Sequence, residues 1–203
     1  MLTIPATEFV TYALDGHVAT ITFNRPERLN ALLPDMIHTY SDLLDFADAD
    51  PEVRAIVVTG SGRGFCSGAD LSILGEDPEL VQGFLNGQSH RTVPGKYLHL
   101  STPVITAING PAAGLGFVIA MSADFRFAKS DAKLSSTFAR LGLIAEYGIA
   151  WLLPRLVGLA RASDILISGR TFTGEQAAEY GLVLSATDDP LAAAYVCAMD
   201  LVS

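Results

Sequence analysis

The chain has 203 residues, 50% of them hydrophobic and 17% charged, as expected for one globular domain with a sizeable core. Its net charge of −9 argues against binding to nucleic-acid backbone or to an anionic membrane surface. No apolar run reaches the length of a membrane span, and two cysteines do not make a disulfide framework. The sequence therefore predicts a cytoplasmic protein.

The first part of the chain predicts a β-hairpin, a helix and a buried strand. Asp15-Gly16 lies between the apolar or alternating runs Phe9–Leu14 and His17–Phe23, which is a strong hairpin signal. Apolar residues at helical spacing predict a helix from Pro34 to Asp48. The continuous apolar run from Val53 to Thr59 is typical of a strand that is buried on both faces.

The rest of the chain continues this alternation of strand and helix signals. We expect a loop over Gly75–Gly95, with one short helix near Pro78–Leu85, because six Gly and Pro residues lie in it. Repeated units without a linker indicate one α/β domain. The later predicted strands are Pro103–Ile108 and Asp124–Ala128, and the predicted helices are Gly116–Ala123, Ile149–Leu156 and Ala160–Ser168. A last helix starts within Thr173–Ala178, and Gly181–Val183 is predicted to be its end and the next strand.

Two glycine-bearing segments are the most informative feature of the chain. Phe65–Asp70 follows the first buried strand, and Asn109–Gly116 follows the next one. Small residues at a strand end let the backbone approach a ligand, and N–H groups at a helix start point outward. Two such places can converge on one carbonyl oxygen and hold the negative charge that it acquires during a reaction. The pattern thus predicts chemistry carried out by main-chain groups.

Other sites receive little support from the sequence. Gly60–Gly64 follows a strand, but its third glycine does not stand at the spacing that a dinucleotide-binding loop requires. The four histidines show no metal-ligand spacing, so no metal site is predicted. Cys66 has no evident partner base, and a packed, inert thiol is the simpler interpretation. The serine-hydrolase motif Gly-x-Ser-x-Gly is not found.

Glu146 is the candidate catalytic carboxylate. It stands alone as a charged residue in the run Leu141–Leu153. Apolar surroundings disfavour the charged form of a carboxylate, which suits it to proton transfer. The alternative is a structural glutamate at a helix start that accepts hydrogen bonds from the first N–H groups of the helix. Local sequence leaves both interpretations open.

Several motifs in a fixed order resemble those of the crotonase superfamily, the enoyl-CoA hydratase and isomerase fold. The resemblance extends from about Phe9 to at least Val183 and implies an α/β spiral of ββα units that binds an acyl-CoA thioester. The coenzyme A thioester is then the substrate, and no separate cofactor is expected. The motifs are Ile21–Pro26 with Leu29–Leu32, Gly64–Leu71, Pro103–Gly110 with Ala112–Gly116, Leu152–Gly158, and Gly169–Ala177.

The same resemblance assigns site residues by motif position. It places the two backbone N–H groups of an oxyanion hole on Ala69 and Leu115, and it makes Arg25 and Arg28 candidates for contacts with the CoA phosphates. Further residues expected to contact substrate or CoA are Leu29, Ser67, Gly68, Asp70, Leu71, Gly114 and Phe138.

Departures from the family pattern decide the expected reaction. The two glutamates that activate water in typical hydratases fall on Val118 and Phe138, which cannot move a proton. Glu146 falls where 3-enoyl-CoA isomerases of the family carry their acidic base. The resemblance therefore implies a 3-enoyl-CoA to 2-enoyl-CoA isomerase. The alternatives are an enoyl-CoA hydratase of fatty-acid β-oxidation and a non-catalytic acyl-CoA-binding protein.

The resemblance also bears on assembly. We expect residues 1–203 to form a single domain in which the C-terminal helical part is shortened and the family's trimerisation helices are largely absent. Relatives form trimers or hexamers, so a homo-oligomer is expected. The apolar stretch Ile144–Gly158 agrees with this expectation, because subunit contact is one way to cover it.

Overall fold

The computed structural model describes residues 7–70 and 95–203, where strands and helices alternate in an α/β fold. The strands are β1 (Val10–Asp15), β2 (Val18–Phe23), β3 (Ala55–Gly60), β4 (Val104–Ile108), β5 (Ala112–Ala113), β6 (Phe125–Lys129), β7 (Lys133–Ser135), β8 (Phe172–Thr173) and β9 (Ser185–Thr187). The α-helices are α1 (Pro34–Ala49), α2 (Leu115–Ser122), α3 (Ile149–Ser168), α4 (Gly174–Glu179) and α5 (Pro190–Val202). Short 3-10 helices lie at Pro26–Arg28, Gly95–His99 and Phe138–Leu141.

The main sheet brings the carboxyl ends of two neighbouring strands together. In the described part of the chain its order is β1-β2-β3-β4-β6-β9, with β1 antiparallel to β2 and the other neighbours parallel. Val58 of β3 pairs with Thr106 of β4, so the two strands end close to each other. The carboxyl ends of parallel strands form the usual place for a ligand in such sheets. The segments that follow β3 and β4 therefore leave the sheet at the same end of the strands.

A small second sheet lies beside these strand ends. β7 pairs in parallel with β5 and antiparallel with β8. β5 also continues the contact between the two glycine segments, because Ala112 forms a parallel bridge with Cys66. Strands of two or three residues leave no periodic pattern in a sequence, and none of these three was predicted.

Most predicted elements are confirmed. The hairpin turns at Gly16, whose φ of +56° suits glycine, and the helix predicted from Pro34 ends at Ala49. The two helices predicted on either side of Gly158 form α3, which is interrupted at Gly158 by a φ of +74° and a ψ of 163°. The loop and short helix predicted within Gly75–Gly95 fall almost entirely outside the described residues.

The prediction for Gly181–Val183 is confirmed as a helix end and wrong as a strand. These residues form the turn that closes α4, because the N–H of Gly181 donates to the carbonyl of Ala178 and that of Leu182 to the carbonyl of Ala177. Leu182 and Val183 are buried, but they fill the core from a turn. The strand begins at Ser185, where β9 pairs with β6. An apolar run indicated burial here without indicating the type of element.

The core lies between the main sheet and the helices α1, α2 and α3. Its largest fully buried side chains include Tyr40 of α1, Phe23 of β2 and Phe117 of α2. Phe65, from the first glycine segment, packs edge-on against Phe23. The glycine segment is thus anchored in the core. None of the helices in the described part of the chain is long and apolar enough to cross a membrane.

Candidate active site

The two glycine segments lie side by side. The N–H of Cys66 donates to the carbonyl of Pro111 at 3.1 Å, and the N–H of Ala113 donates to the carbonyl of Cys66 at 3.0 Å. These bonds extend the pairing of β3 and β4 beyond the strand ends. The prediction that the two segments meet is therefore confirmed at the level of the backbone.

Glycine is required at this contact because the backbones touch. A Cβ on Gly116 would lie 2.1 Å from the carbonyl oxygen of Cys66, and a Cβ on Gly110 would lie 2.1 Å from that of Arg63. Gly68 has a φ of +98°, and its Cβ would lie 2.8 Å from the carbonyl oxygen of Ala113. Any side chain at these positions would separate the two segments.

Two backbone N–H groups at this junction have no acceptor in the described part of the chain. Leu32 bonds both neighbours of Ala69, because its N–H donates to Gly68 at 2.8 Å and its carbonyl accepts from Asp70 at 3.0 Å. The N–H of Ala69 has no acceptor among the described residues, nor does that of Leu115, which opens α2. A Cβ built on Gly68 would lie 3.5 Å from the nitrogen of Leu115, so the two groups occupy adjoining backbone. Such a pair can hold a negatively charged oxygen.

Two asparagines fix the loop that leads from β3 to this junction. The Nδ2 of Asn30 donates to the carbonyls of Ser61, Gly64 and Phe65 at 2.8 to 3.2 Å, and Asn30 is fully buried. The Nδ2 of Asn109 donates to Gly60, Gly62 and Gly64, while its Oδ1 accepts from the N–H of Gly60. Both side chains satisfy carbonyls that would otherwise be unpaired.

Both asparagines lie within motifs of the sequence, but the sequence predicted no role for either of them. Asn30 has a φ of +56°. Asparagine is one of the few residues besides glycine that tolerates this conformation, so an Asn between a Pro-containing turn and a predicted helix was the available signal. The carbonyls that it binds lie more than thirty residues further along the chain, and sequence could not reveal them.

Arg25, one of the two predicted contacts for the CoA phosphates, is held by an ion pair and a backbone carbonyl. Its Nη1 lies 2.5 Å from Oδ2 of Asp70 and also donates to the carbonyl of Ala31. The two charged side chains are largely buried, at 15% and 9% exposure. Arg25 and Asp70 therefore form a structural ion pair that ties the turn before Leu32 to the segment carrying Ala69. The phosphate contact proposed for Arg25 is not evident in this arrangement.

The other predicted CoA-binding residues lie around the same turn. Arg28 is exposed, and its carbonyl accepts from Oγ of Ser67 at 3.3 Å. Leu29 has a φ of +50°, and its carbonyl accepts from the N–H of Ser67 at 3.0 Å. Leu71 lies outside the described residues. Arg28, Leu29 and Ser67 are thus placed together near the amide junction.

The remaining predicted residues lie near the start of α2. Gly114 caps this helix with a φ of +52°, and its N–H donates to the carbonyl of Ser135. Val118, one turn into α2, and Phe138, in a 3-10 helix, are both buried. The two positions that would carry the hydratase glutamates are thus hydrocarbon in the core.

Glu146 lies in the turn before α3. Its side chain is partly buried, and its carbonyl accepts the N–H of Ile149 at 3.2 Å. Among the described residues no helix N–H donates to its carboxylate, so the alternative role as a side-chain cap is not observed. Its apolar neighbours Leu143 and Ile144 are exposed, at 47% and 80%. The apolar run therefore does not enclose the carboxylate within the described chain.

Cys66 is a packed thiol, as expected. Burial raises its pKa from the usual 9.0 to about 12, against the smaller opposing effect of a backbone hydrogen bond from Gly68. A thiol with so little thiolate at neutral pH is a poor nucleophile. In the described part of the chain there is also no cluster of His, Cys, Asp and Glu that could hold a metal ion.

Comparisons with known proteins agree with this geometry. The family model for enoyl-CoA hydratase/isomerase matches residues 14–195. The chain is 37% identical to 1,2-epoxyphenylacetyl-CoA isomerase of Escherichia coli, over 90% of this chain and 71% of that protein. It is 39% identical to a Mycobacterium tuberculosis protein named "Probable enoyl-CoA hydratase EchA14", over 91% of this chain and 72% of that protein.

Solved structures show the same fold. An enoyl-CoA hydratase/isomerase from Mycobacterium paratuberculosis matches with a TM-score of 0.87 and 30% identity, over 97% of this chain and 79% of the other. An enoyl-CoA hydratase from Bacillus anthracis matches with a TM-score of 0.87 and 29% identity, over 96% and 77%. The expected spiral fold is thereby confirmed.

Proposed function

The chain belongs to the enoyl-CoA hydratase/isomerase family of enzymes, and from this premise we propose that it shifts the double bond of a 3-enoyl-CoA to the 2-position. One observation carries the choice of reaction. Glu146 is the carboxylate that motif position assigns to the site, whereas Val118 and Phe138 supply buried hydrocarbon where hydratases carry their glutamates. A proton shuttle needs one carboxylate, but water addition needs groups that orient the water.

The two unpaired amides would hold the thioester oxygen. Removal of a proton next to the thioester carbonyl gives a dienolate, and its negative charge falls largely on this oxygen. The N–H groups of Ala69 and Leu115 would donate to it, and the start of α2 adds the favourable end of a helix dipole. A single donor of this kind is worth about 10²–10³ in rate. Because the donor is a main-chain N–H group, a leucine at position 115 supplies it as well as a glycine would.

Glu146 would move the proton. Its carboxylate would accept a proton from the α-carbon of the substrate and return it to the γ-carbon, so that the double bond moves without a net change in atoms. The turn that carries Glu146 leads into α3, which packs against α2 through the shared core that contains Leu115, Val118 and Ile149. This packing agrees with a position of the Glu146 carboxylate on the side of α2 where the substrate would lie.

The exposed side chain of Arg28 remains the candidate contact for the CoA phosphates. Arg25 would act indirectly, through its ion pair with Asp70, by holding the turn that presents Arg28. The expected trimer or hexamer and the cytoplasmic location are further parts of this proposal, by resemblance to the family.

The second candidate is hydration of a 2-enoyl-CoA. Relatives named as hydratases match this chain as strongly as the relative named as an isomerase. In this reaction Glu146 alone would activate the water. Both reactions use the same amide pair, so they differ only in what the carboxylate does.

The decisive experiment compares the two reactions in one preparation. Purified wild-type protein and Glu146→Gln are given 3-enoyl-CoA and 2-enoyl-CoA of the same chain length. We expect isomerisation in the wild type and a loss of at least 10²-fold in the variant, the lower range for a general base. Glu179→Gln, at an exposed position on α4, is the matched control and should retain full activity.

Isotope transfer then tests the shuttle. With deuterium at the α-carbon, a single carboxylate carries part of the label to the γ-carbon. Unchanged isomerisation in Glu146→Gln would contradict the assignment. Hydration that exceeds isomerisation in the wild type would favour the second candidate.

A further inference from the structure

Three consecutive residues with hydroxyl groups lead from β7 into the following 3-10 helix, and they are used differently. Ser135 and Ser136 are buried. Their Oγ atoms donate, at 3.0 Å each, to the carbonyls of Gly169 and Ile165 at the end of α3. Thr137 is partly buried, and no group in the described part of the chain forms a hydrogen bond with its Oγ1. The first two hydroxyls anchor the segment, and the third is available to a ligand.

A structural role as a helix cap does not account for the hydroxyl of Thr137. This residue is the N-cap of the 3-10 helix, where a threonine side chain usually accepts a backbone N–H. The N–H groups of Arg140 and Leu141 donate instead to its carbonyl, and its side chain caps nothing. Its φ of +54° is also a genuine outlier for a β-branched residue. Backbone strain of this kind is concentrated at functional sites, where the surroundings impose it.

The hydroxyl of Thr137 borders the amide junction. A Cβ built on Gly114 would lie 3.3 Å from this Oγ1, and apart from its chain neighbours no other described atom lies within 4 Å. The hydroxyl therefore lies at the edge of a space that the described residues leave open. The next residue along the chain is Leu115, whose N–H has no acceptor among those residues. The pairing of β5 with β7 fixes this arrangement, and the N–H of Gly114 donates to the carbonyl of Ser135 at 3.1 Å.

We propose that Thr137 is a further catalytic residue, whose hydroxyl donates a hydrogen bond to the thioester oxygen beside the two backbone N–H groups. This oxygen gains negative charge as the dienolate forms, so a donor aimed at it stabilises the transition state more than the substrate. The hydroxyl keeps its proton throughout, and Glu146 remains the group that moves a proton. The inference rests on the proposed function, because it takes the thioester oxygen to lie at the amide junction.

The test compares variants that differ in this hydroxyl. Thr137→Val keeps the β-branched shape and loses the donor, so kcat for isomerisation should fall about 10²-fold with KM little changed. Thr137→Gly suits the positive φ but also lacks the donor, and it should show the same loss. Thr137→Ser keeps the donor and should retain nearly the kcat of the wild type. Thr171→Val, at an exposed position, is the matched control and should retain full activity.

A second measurement does not need turnover. Acetoacetyl-CoA loses a proton from its α-carbon to give an enolate with its own ultraviolet absorption, and a donor at the thioester oxygen favours this charged form. At a fixed pH, the ratio of bound enolate to bound neutral form should fall about 10²-fold in Thr137→Val. It should stay at the wild-type value in Thr137→Ser and in Thr171→Val.

Each outcome decides the proposal. An enolate ratio in Thr137→Val equal to that of the wild type would overturn it, whatever the kcat, and so would a loss that persists in Thr137→Ser. Isomerisation by the wild type with an unchanged ratio in Thr137→Val would refute the role of Thr137 and leave the proposed function standing. A lower ratio in Thr137→Val without isomerisation by the wild type would support Thr137 and refute the proposed function.

Discussion

Two regions of the site use glycine for different reasons. The amide region consists of residues 60–70 and 109–116, and the carboxylate turn consists of residues 137–149. In the amide region a Cβ on Gly116 or Gly110 would meet a backbone oxygen at 2.1 Å. In the carboxylate turn Gly142 and Gly148 have positive φ, but no described atom lies within 4 Å of a Cβ built there. Space requires glycine in the first region, and only backbone conformation favours it in the second.

This difference explains why the groups that hold the thioester oxygen are fixed, whereas those that move the proton can vary. In the amide region two backbones touch, and the side chains of Asn30 and Asn109 hold the loop, so almost no change is tolerated without moving the amides. The carboxylate turn touches its surroundings less closely, and Tyr147 also has a positive φ of 54°. A family can therefore keep one way of holding a thioester oxygen while it varies the groups that move the proton.

The largest effect is expected from Gly116→Ala. Its methyl group would lie 2.1 Å from the carbonyl oxygen of Cys66, which cannot move away because hydrogen bonds tie Cys66 to Pro111 and Ala113. We expect the free energy of unfolding to fall by more than the ~1–3 kcal/mol of ordinary overpacking, with loss of turnover. Urea unfolding measures the first and the isomerase assay the second. Wild-type stability in this variant would mean that the two segments are not in contact.

A smaller effect is expected from alkaline pH through Cys66. Its pKa is about 12 in the folded chain and 9.0 in the unfolded chain, so between these values the unfolded state binds fewer protons. The buried thiol therefore makes its full contribution to the free energy of unfolding below pH 9, and this contribution falls as the pH rises towards 12. At pH 10 the loss from this thiol is about 1 kcal/mol.

Urea unfolding at pH 8 and pH 10 tests this prediction. Cys66→Ala removes the thiol, and it should show a smaller loss of stability between the two values than the wild type does. The buried tyrosines are present in both proteins, and Cys66 is the smallest of the causes that raise the pKa of Tyr40, so the contributions of the tyrosines nearly cancel in the comparison. Equal losses would show that Cys66 is not buried as described.

An effect of similar size, again smaller than that of Gly116→Ala, is expected from Gly148→Ala. The φ of Gly148 is +76°, and space for a methyl group is open among the described residues, so only the left-handed conformation is penalised. We expect a loss of ~1–2 kcal/mol in the free energy of unfolding, with the fold retained. Urea unfolding beside Gly116→Ala measures the contrast directly. A loss in Gly148→Ala as large as that in Gly116→Ala would remove the distinction between the two regions.

The predictions that rested on local patterns agree with the structure. The Asp15-Gly16 turn, the buried strands before the two glycine segments and the kink at Gly158 follow from residues that act within a few positions of each other. Arg25 shows the limit of such reasoning. Its place in a family motif suggested a phosphate contact, and the structure pairs it with Asp70, which lies 45 residues away in the chain. A motif indicates that a residue matters without indicating which atom it contacts.

The sequence by itself determined the order of the elements, the two glycine segments and the carboxylate Glu146, because periodicity, turn residues and isolated charges are local properties. Only the tertiary structure decided that the N–H groups of Ala69 and Leu115 lie at adjoining places with no acceptor among the described residues. That outcome depends on Leu32, which bonds the groups on either side of Ala69, and on the register of β3 with β4. It also depends on the side chains of Asn30 and Asn109, which hold the loop after β3. These are contacts between distant residues, and they exist only once the sheet has formed.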